Sequence, residues 1–129
     1  MLVVDASFGV QACLVEDGFG PLGDELVAPG LWWAEVSSAL HEMAWRHTIS
    51  WELADVSFQR LVRAPVAERR SRRLRAEAWR IAGELGWAKT YDAEYVALAR
   101  LLRCRLLTID GRLRRGASRF VEAIGPTEL

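Results

Sequence analysis

The stretch Leu2-Val3-Val4-Asp5-Ala6-Ser7 decides the fold, because it joins an apolar run to a carboxylate and then to the start of a helix. The continuous run Leu2–Val4 is typical of a strand that is buried on both faces of a parallel sheet. Asp5 closes the run, and Ser7 is placed to cap a helix that extends to about Val15. A buried strand leading directly into a helix predicts an α/β protein.

The rest of the chain repeats this alternation of short apolar strands and amphipathic helices. Loop signals separate the elements, among them Gly18, Gly20, Pro21 and Gly23. We expect strands at residues 2–4, 25–28, 105–109 and 120–124, and helices at about 31–47, 51–62, 66–85 and 92–103. Tyr95 belongs to the apolar stripe of the last of these helices. The pattern predicts an α/β, three-layer fold, with a central mostly parallel sheet of four to five strands and helices on both faces.

Length and composition indicate one globular domain that spans residues 1–129. The chain is 51% hydrophobic and 26% charged, which is ordinary for a globular protein. No segment approaches the ~20 apolar residues of a membrane span, and Asp5 interrupts the apolar stretch that a signal peptide would need. Cys13 and Cys104 lack metal-ligand spacing and are interpreted as reduced core thiols. We therefore expect a cytoplasmic protein that does not associate with membranes.

Positive charge is carried almost entirely by arginine. Of 17 Lys and Arg residues, all but Lys89 are Arg. Arginine binds phosphate bidentately, so clusters of it are compatible with nucleic-acid binding; a solvated helix face explains either cluster equally well. The two clusters are Arg69, Arg70, Arg72, Arg73 and Arg75, and Arg112, Arg114, Arg115 and Arg119.

Four carboxylates lie within or beside apolar runs, where a charge is costly to desolvate. Asp5 and Asp110 follow predicted strands, Asp92 opens a predicted helix, and Glu35 lies inside another. The carboxyl ends of parallel strands meet at one edge of the sheet, so Asp5 and Asp110 are expected to share that edge, and Asp92 can face it. Taken singly, Asp92 could instead be a helix N-cap, and Asp5 and Asp110 could be turn formers.

Gathered carboxylates repel one another, so one or more would take up a proton unless a cation neutralises them. An all-oxygen set of ligands suits Mg²⁺ or Mn²⁺. The two histidines, His41 and His47, lie on a predicted helix and are interpreted as packing or surface residues. We therefore expect metal-activated water, rather than an imidazole base, to supply the reactivity.

Four segments in this order resemble PIN-domain nucleases, and in particular the VapC-like toxins of bacterial type II toxin–antitoxin systems. The resemblance runs nearly end to end. It implies a PIN-like fold and a Mg²⁺- or Mn²⁺-dependent endoribonuclease that hydrolyses structured or single-stranded RNA. The segments that carry it are Val3–Ser7, Ala28-Pro29 with Glu35–Leu40, Tyr91–Ala99 and Leu107–Leu113.

The resemblance also implies roles for individual residues. Asp5 and Asp92 would be the main metal ligands of the catalytic cluster, and Glu35 and Asp110 would complete it. Two hydroxyls, those of Ser7 and Thr108, would support the cluster by orienting carboxylates or water. The implied partners are the RNA substrate, a cognate antitoxin protein and a second copy of the chain in a homodimer.

Two departures from that family are visible. Ser38 stands where the family often has Asn, which weakens one polar contact expected near Glu35. Three tryptophans, Trp32, Trp33 and Trp45, share one predicted helix. They are interpreted either as core packing or as an aromatic groove that takes a partner's helix, as the antitoxin does in this family.

Two alternatives remain open at the level of sequence. A PIN-like module could bind RNA or protein without cutting, although the presence of all four acids speaks against it. A phosphoacceptor domain also places an Asp at a strand end. However, Ser7 occupies the place of the second Asp that such phosphatases need, and Lys89 precedes Asp92 instead of following a late strand.

Overall fold

Five short strands form the centre of the molecule. The computed structural model describes residues 1–20 and 22–129, so Pro21 of the predicted glycine-rich loop lies outside the described residues. Within them the sheet has the order β3-β2-β1-β4-β5, and every neighbouring pair is parallel, as expected. The strands are β1 (Leu2–Val4), β2 (Leu26–Ala28), β3 (Val66–Glu68), β4 (Arg105–Leu107) and β5 (Ala123–Ile124).

Capping residues mark the ends of some helices. The Ser50 side chain accepts a hydrogen bond from the Leu53 amide (3.0 Å) at one helix start. Gly86 ends another helix in the left-handed region, with φ of 70°. The described residues form α1 (Ala6–Leu14), α2 (Leu31–Trp45), α3 (Trp51–Val62), α4 (Leu74–Leu85), α5 (Tyr91–Leu102) and α6 (Gly111–Ala117), followed by a 3₁₀ turn at Pro126–Glu128.

The strand order explains why helices cover both faces of the sheet. From β1 the chain steps outward to β2 and β3, and it then returns to β4 on the other side of β1. Right-handed crossovers made in opposite directions place their helices on opposite faces. Accordingly, α1, α2 and α3 pack on one another, whereas α4 packs on α5, which contacts β1 and β4. The expected three-layer α/β architecture is confirmed.

The core lies around the central strands. Leu2, Val3 and Val4 are fully buried, as the continuous apolar run predicted. Of the two free cysteines, Cys13 is buried and Cys104 is half-buried. Within the described part of the chain, no helix combines the length and apolar character that crossing a membrane requires.

The predicted helix at 66–85 is wrong in its first part. Val66–Glu68 forms strand β3, and the helix starts only at Leu74. The free edge of β2 provides the reason: Val66 pairs with Leu26 and Glu68 with Ala28, so these backbone groups are satisfied in the sheet. The arginines from 69 to 73 consequently lie in a loop.

The expected cap of α1 is also wrong in its residue. Asp5, not Ser7, occupies the N-cap position and accepts a hydrogen bond from the Phe8 amide. Ser7 lies inside the first turn of the helix, where its hydroxyl is free to bond the Asp5 carboxylate. Smaller differences concern lengths: β4 ends at Leu107, and β5 contains only Ala123 and Ile124.

Candidate active site

The acidic residues meet where the strand order reverses. β1 and β4 are neighbours, yet the chain leaves them in opposite directions along the sheet. In open α/β sheets, binding sites form outside the carboxyl ends of the strands at such a switch point. Asp5 follows β1 at this edge, and the segment Thr108–Asp110 follows β4.

Asp5 is the most enclosed of the four predicted acids, with a relative exposure of 2%. Its Oδ1 accepts from the Phe8 amide (2.9 Å), and Ser7 Oγ lies 2.8 Å from both carboxylate oxygens. Thr108 Oγ1 donates a short hydrogen bond to Oδ2. The Trp32 indole donates to the Asp5 backbone carbonyl (2.9 Å). The carboxylate is therefore held from several sides in one orientation.

Burial raises the pKa of Asp5 to about 6 from its ordinary value of 3.8. The hydrogen bonds from Thr108, Phe8 and Ser7 act in the opposite direction, and the nearby charge of Asp110 adds to the increase. These hydrogen bonds do not offset the desolvation of the charged form. A positive charge at this edge would favour the ionised carboxylate.

Ser7 and Thr108, the two predicted supporting hydroxyls, connect the loops that follow β1 and β4. Their oxygens are 3.3 Å apart. Thr108 Oγ1 also accepts from the Asp110 amide (3.0 Å), and Ser7 Oγ accepts from the Ile109 amide (3.3 Å). The pair thus fixes the position of Asp110 relative to Asp5.

Asp110 caps a helix as well as facing the site. Its Oδ1 accepts from the amides of Arg112 (2.9 Å) and Leu113 (3.2 Å) at the start of α6. The side chain is half-buried, and its charge raises the pKa of both Asp5 and Asp92. The structure therefore brings Asp110 into the electrostatic range of both acids.

Glu35 is held by a residue that the apolar pattern had predicted only as part of the core. The Tyr95 hydroxyl donates to Glu35 Oε1 (2.6 Å), and the tyrosine is fully buried. Burial raises the pKa of Glu35; the Tyr95 hydrogen bond lowers it, and the charge of Asp92 raises it. The signal for Tyr95 in the sequence is its position three residues after Asp92, which places both on one face of α5.

Tyr95 lies among the predicted acids. Burial raises its pKa most, followed by its hydrogen bond to Glu35 and by the charges of Glu35, Asp5 and Asp92. Because its hydroxyl stays protonated, it serves as a hydrogen-bond donor at this position. Tyr95 consequently positions Glu35 relative to the acids on β1 and α5.

Asp92 lies in the first turn of α5, two residues after the N-cap residue Thr90, so its interpretation as an N-cap is wrong. Burial and the charge of Asp110 raise the pKa of Asp92, whereas Arg112 lowers it. Arg112 Nη1 is 3.9 Å from Asp92 Oδ2, and its guanidinium lies over the Trp87 ring (5.5 Å). Asp92 therefore has both an acid, Asp110, and a cation, Arg112, as neighbours.

A cavity of about 370 Å³ opens beside these groups. Two of the predicted acids, Glu35 and Asp92, line it. The wall around them is cationic and aromatic and consists of Trp87, Ala88, Lys89, Tyr91 and Arg112. Such a lining can accept an anionic ligand next to the carboxylates.

The donor set fits a hard divalent cation. In residues 1–20 and 22–129, no three His, Cys, Asp or Glu side chains are arranged so that they could enclose a metal ion. Mg²⁺ does not need such a cage, because it keeps several waters and is usually bound through one or two carboxylates and substrate phosphates. Asp5, Glu35, Asp92 and Asp110 carry carboxylate oxygens of this kind, and the charge of Asp110 raises the pKa of Asp5 and of Asp92, while the charge of Asp92 raises that of Glu35.

The tryptophans and histidines of α2 and its neighbourhood divide between core and surface. Trp32 is fully buried, and Trp33 packs edge-on against it (4.9 Å), which confirms core packing for that part. Trp45, by contrast, is 69% exposed and lines a cavity between α2 and α3. His41 and His47 are exposed, and His41 packs on Trp51 (4.9 Å), as expected for surface residues.

Comparison with known proteins gives relatives along most of the chain, although no protein-family model matches it. The VapC ribonuclease Mb0985 of Mycobacterium bovis is 34% identical over 115 residues, which are 88% of this chain and 88% of the relative. Ribonuclease VapC9 of Mycobacterium tuberculosis matches with the same identity and coverage.

Solved structures share the fold. PAE2754 from Pyrobaculum aerophilum has a TM-score of 0.78 at 24% identity, over 98% of this chain and 91% of that one. FitAB bound to an IR36 DNA fragment has a TM-score of 0.67 at 14% identity, over 100% and 97%. At these identities the structures support the fold alone. The identity and coverage of the sequence relatives show more: the chain belongs to the VapC ribonuclease family, which confirms its resemblance to VapC-like PIN-domain nucleases.

Proposed function

We propose that this ribonuclease is a metal-dependent endoribonuclease that hydrolyses phosphodiester bonds of RNA at the edge formed by β1 and β4. The observation that supports the proposal is a series of charge interactions that links Asp5 to Asp110, Asp110 to Asp92 and Asp92 to Glu35, with burial raising the pKa of the most enclosed acid, Asp5, to about 6. An arrangement that is costly without a counter-charge is typical of a cation site.

Asp5 and Asp92 would hold the ion, with Glu35 and Asp110 completing the set. Mg²⁺ or Mn²⁺ matches these oxygen ligands. When bound, the ion supplies positive charge that neutralises the carboxylates and stabilises negative charge on the reacting phosphate.

The chain itself supplies orientation. Ser7 and Thr108 hold the Asp5 carboxylate, and the Tyr95 hydroxyl holds Glu35, so neither acid needs to be ordered when substrate arrives. Arg112 can exchange its long contact with Asp92 (3.9 Å) for a phosphate oxygen. The exposed Tyr91 ring at the cavity wall can stack on an unpaired base.

The family also supports a role as a toxin that is neutralised by a cognate antitoxin and that forms a homodimer. The cavity between α2 and α3 supports this proposal, because Trp45, Trp51 and Phe58 are exposed large apolar residues on its wall. Co-purification with the product of the adjacent gene would test the antitoxin partnership. Light scattering of the purified chain would test the dimer.

The decisive experiment for catalysis is the isosteric substitution Asp92→Asn. We expect the wild type to cleave a fluorescent RNA with Mg²⁺ or Mn²⁺ and to stop in EDTA, and we expect Asp92→Asn to lose this activity because it removes a ligand charge. Asp55→Asn is the matched control, since Asp55 is an exposed acid on α3. Full activity of Asp92→Asn, or cleavage that persists in EDTA, would refute the proposal. Absence of carboxylate-dependent metal affinity would favour a module that only binds.

A further inference from the structure

Five arginines are grouped at the carboxyl end of β3. We call residues 69–75, which comprise the loop 69–73 and the first two residues of α4, the arginine loop; they contain Arg69, Arg70, Arg72, Arg73 and Arg75. The Arg69 amide donates to the Ala28 carbonyl (3.0 Å), so the loop leaves the sheet directly beside β2. Because the strands are parallel, this end of β3 lies on the same sheet edge as Asp5 and Asp110.

The arginine loop and the helix that carries Asp92 border one cavity. The cavity has a volume of about 430 Å³, and Arg72 and Arg75 lie on its wall opposite Gly30 and Glu94. Glu94 belongs to α5, as Asp92 does, so this cavity reaches the element that carries one of the acids. Since strands are spaced by roughly 4.8 Å, β3 lies about 10 Å from β1 along this edge.

Not all of these arginines are available to a ligand. Arg69 Nη1 lies 3.4 Å from the Met1 sulfur, and Arg70 forms an ion pair with Glu68. Arg72 and Arg73 are both exposed, and neither has a carboxylate within salt-bridge distance in the part of the chain that the structure describes. They place two uncompensated positive charges beside a cluster of negative ones.

We propose that Arg72 and Arg73 bind phosphates of the RNA strand that neighbour the phosphate in the acidic site. This inference rests on the proposed function. A cluster of carboxylates repels a polyanion, so a strand can cross this edge only where cations offset the repulsion. The separation of about 10 Å between the strands β3 and β1 suits contacts from the loop to the phosphates next to the one in the acidic site.

RNA fits the loop better than an acidic protein segment does. A protein ligand would need no particular relation to the carboxylates, whereas an RNA strand whose phosphate lies near Asp92 can extend past the loop, because the loop lies at the same end of the sheet. Guanidinium groups bind phosphate bidentately, and two of them without intramolecular partners need no ion pair to be broken first.

The test is binding of a fluorescent single-stranded RNA of about 20 nucleotides in EDTA, where cleavage does not interfere, at several salt concentrations. The variant is Arg72→Ala with Arg73→Ala. Its matched control is Arg63→Ala with Arg119→Ala, two exposed arginines that precede β3 and β5 and so lie at the opposite edge of the sheet. Circular dichroism and the melting temperature of each protein verify folding.

We expect the loop variant to reduce the salt slope of log K by about 1.4, since each phosphate contact on a single strand contributes roughly 0.7. If the wild type and the loop variant bind equally at 1 M salt, this difference in slope makes the binding of the variant about 25-fold weaker than that of the wild type at 0.1 M salt. The control should bind as the wild type does. Equal losses in both double variants would overturn the proposal, because they would show a general effect of charge.

Other outcomes separate this inference from the proposed function. Cleavage by the wild type combined with unchanged RNA binding by the loop variant would overturn the inference alone, and would point to an acidic protein segment as the ligand. The expected binding pattern without cleavage in Mg²⁺ or Mn²⁺ would support the inference and refute the catalytic proposal. Wild-type protein that neither binds RNA in EDTA nor cleaves it with Mg²⁺ or Mn²⁺ would overturn both.

Discussion

Asp5 and Asp110 occupy the same local structure and have different environments. Each lies between a strand and a helix, and each is the N-cap of that helix. The side chain of each accepts hydrogen bonding from backbone amides of the first helical turn. Yet Asp5 is buried under α2, with Trp32 on its carbonyl and two hydroxyls on its carboxylate, whereas Asp110 is half-buried at the rim.

The difference shows that the strand–Asp–helix motif determines at which end of the sheet a carboxylate lies. The surrounding residues determine how deeply that carboxylate is buried. Both carboxylates point to the switch point because the motif places them there. Asp5 is desolvated enough for its pKa to rise to about 6. The enclosed acid is therefore the one that a cation stabilises most, and the rim acid has room to act through water or substrate.

The largest effect is expected on RNA cleavage. Asp5→Asn should reduce it to the level seen in EDTA, since it removes the most firmly positioned ligand charge. Asp110→Asn should reduce it about 10–100-fold, because Asp110, at the rim, completes the set through water instead of holding the ion as Asp5 and Asp92 would. Single-turnover cleavage of one RNA measures both. Equal losses would contradict the distinction between the two acids.

In the absence of metal, the free energy of unfolding should depend on pH because the Asp5 carboxyl has different pKa values in the folded and unfolded states. The pKa is about 6 in the folded state against an ordinary 3.8, so the folded state binds a proton more tightly than the unfolded state. The free energy of unfolding should therefore fall by about 3 kcal/mol in total between about pH 2.5 and 7.5, of which about 2 kcal/mol falls between about pH 4 and 6.

Urea denaturation in EDTA across this pH range measures the effect. Asp5→Asn should remove most of the dependence, and the remainder reflects Glu35 and Asp92, whose pKa values are raised as well. Asp110→Asn should keep most of it. A wild type that becomes more stable between pH 4 and 6 would contradict the assignment.

Thr108→Val tests the connection between the two acids. It removes the donor to Asp5 and the acceptor of the Asp110 amide at nearly constant volume. We expect a loss of about 1–3 kcal/mol at pH 7.5 and a smaller loss at pH 5, because the bond to an ionised carboxylate is the stronger one. Ser37→Ala, whose hydroxyl bonds only Ala34 in its own helix, is the control. Equal losses at both pH values would argue against a bond to the ionised acid.

The smallest effect concerns the cap of α6. Asp110→Ala should cost about 1 kcal/mol in urea denaturation, since the amides of Arg112 and Leu113 lose their acceptor. Asp110→Ser keeps a capping oxygen and should recover most of that stability without recovering cleavage. Recovery of both would show that Asp110 acts only as a cap.

Local patterns in the sequence were sufficient for much of the fold and for the identity of the acids. The buried run Leu2–Val4, the acid after it and most of the helix predicted at residues 31–47, which the structure has as Leu31–Trp45, follow from apolar runs and periodicity. The strand at Val66–Glu68 did not, because three residues at a sheet edge become a strand only when β2 offers its free backbone groups. The hydrogen bond from Tyr95 to Glu35 was not predicted for a related reason: an apolar stripe does not show where a tyrosine hydroxyl points.

The sequence by itself determined which side chains this protein can bring to the carboxyl ends of its strands. An apolar run followed by Asp places a carboxylate at the carboxyl end of a strand, whatever the rest of the chain does. Only the tertiary structure decided how deeply each acid is buried, which hydroxyls hold it and how close the arginine loop comes. Desolvation and charge coupling depend on residues that are distant along the chain, such as Thr108 and Asp5, and a local pattern contains no information about such distances.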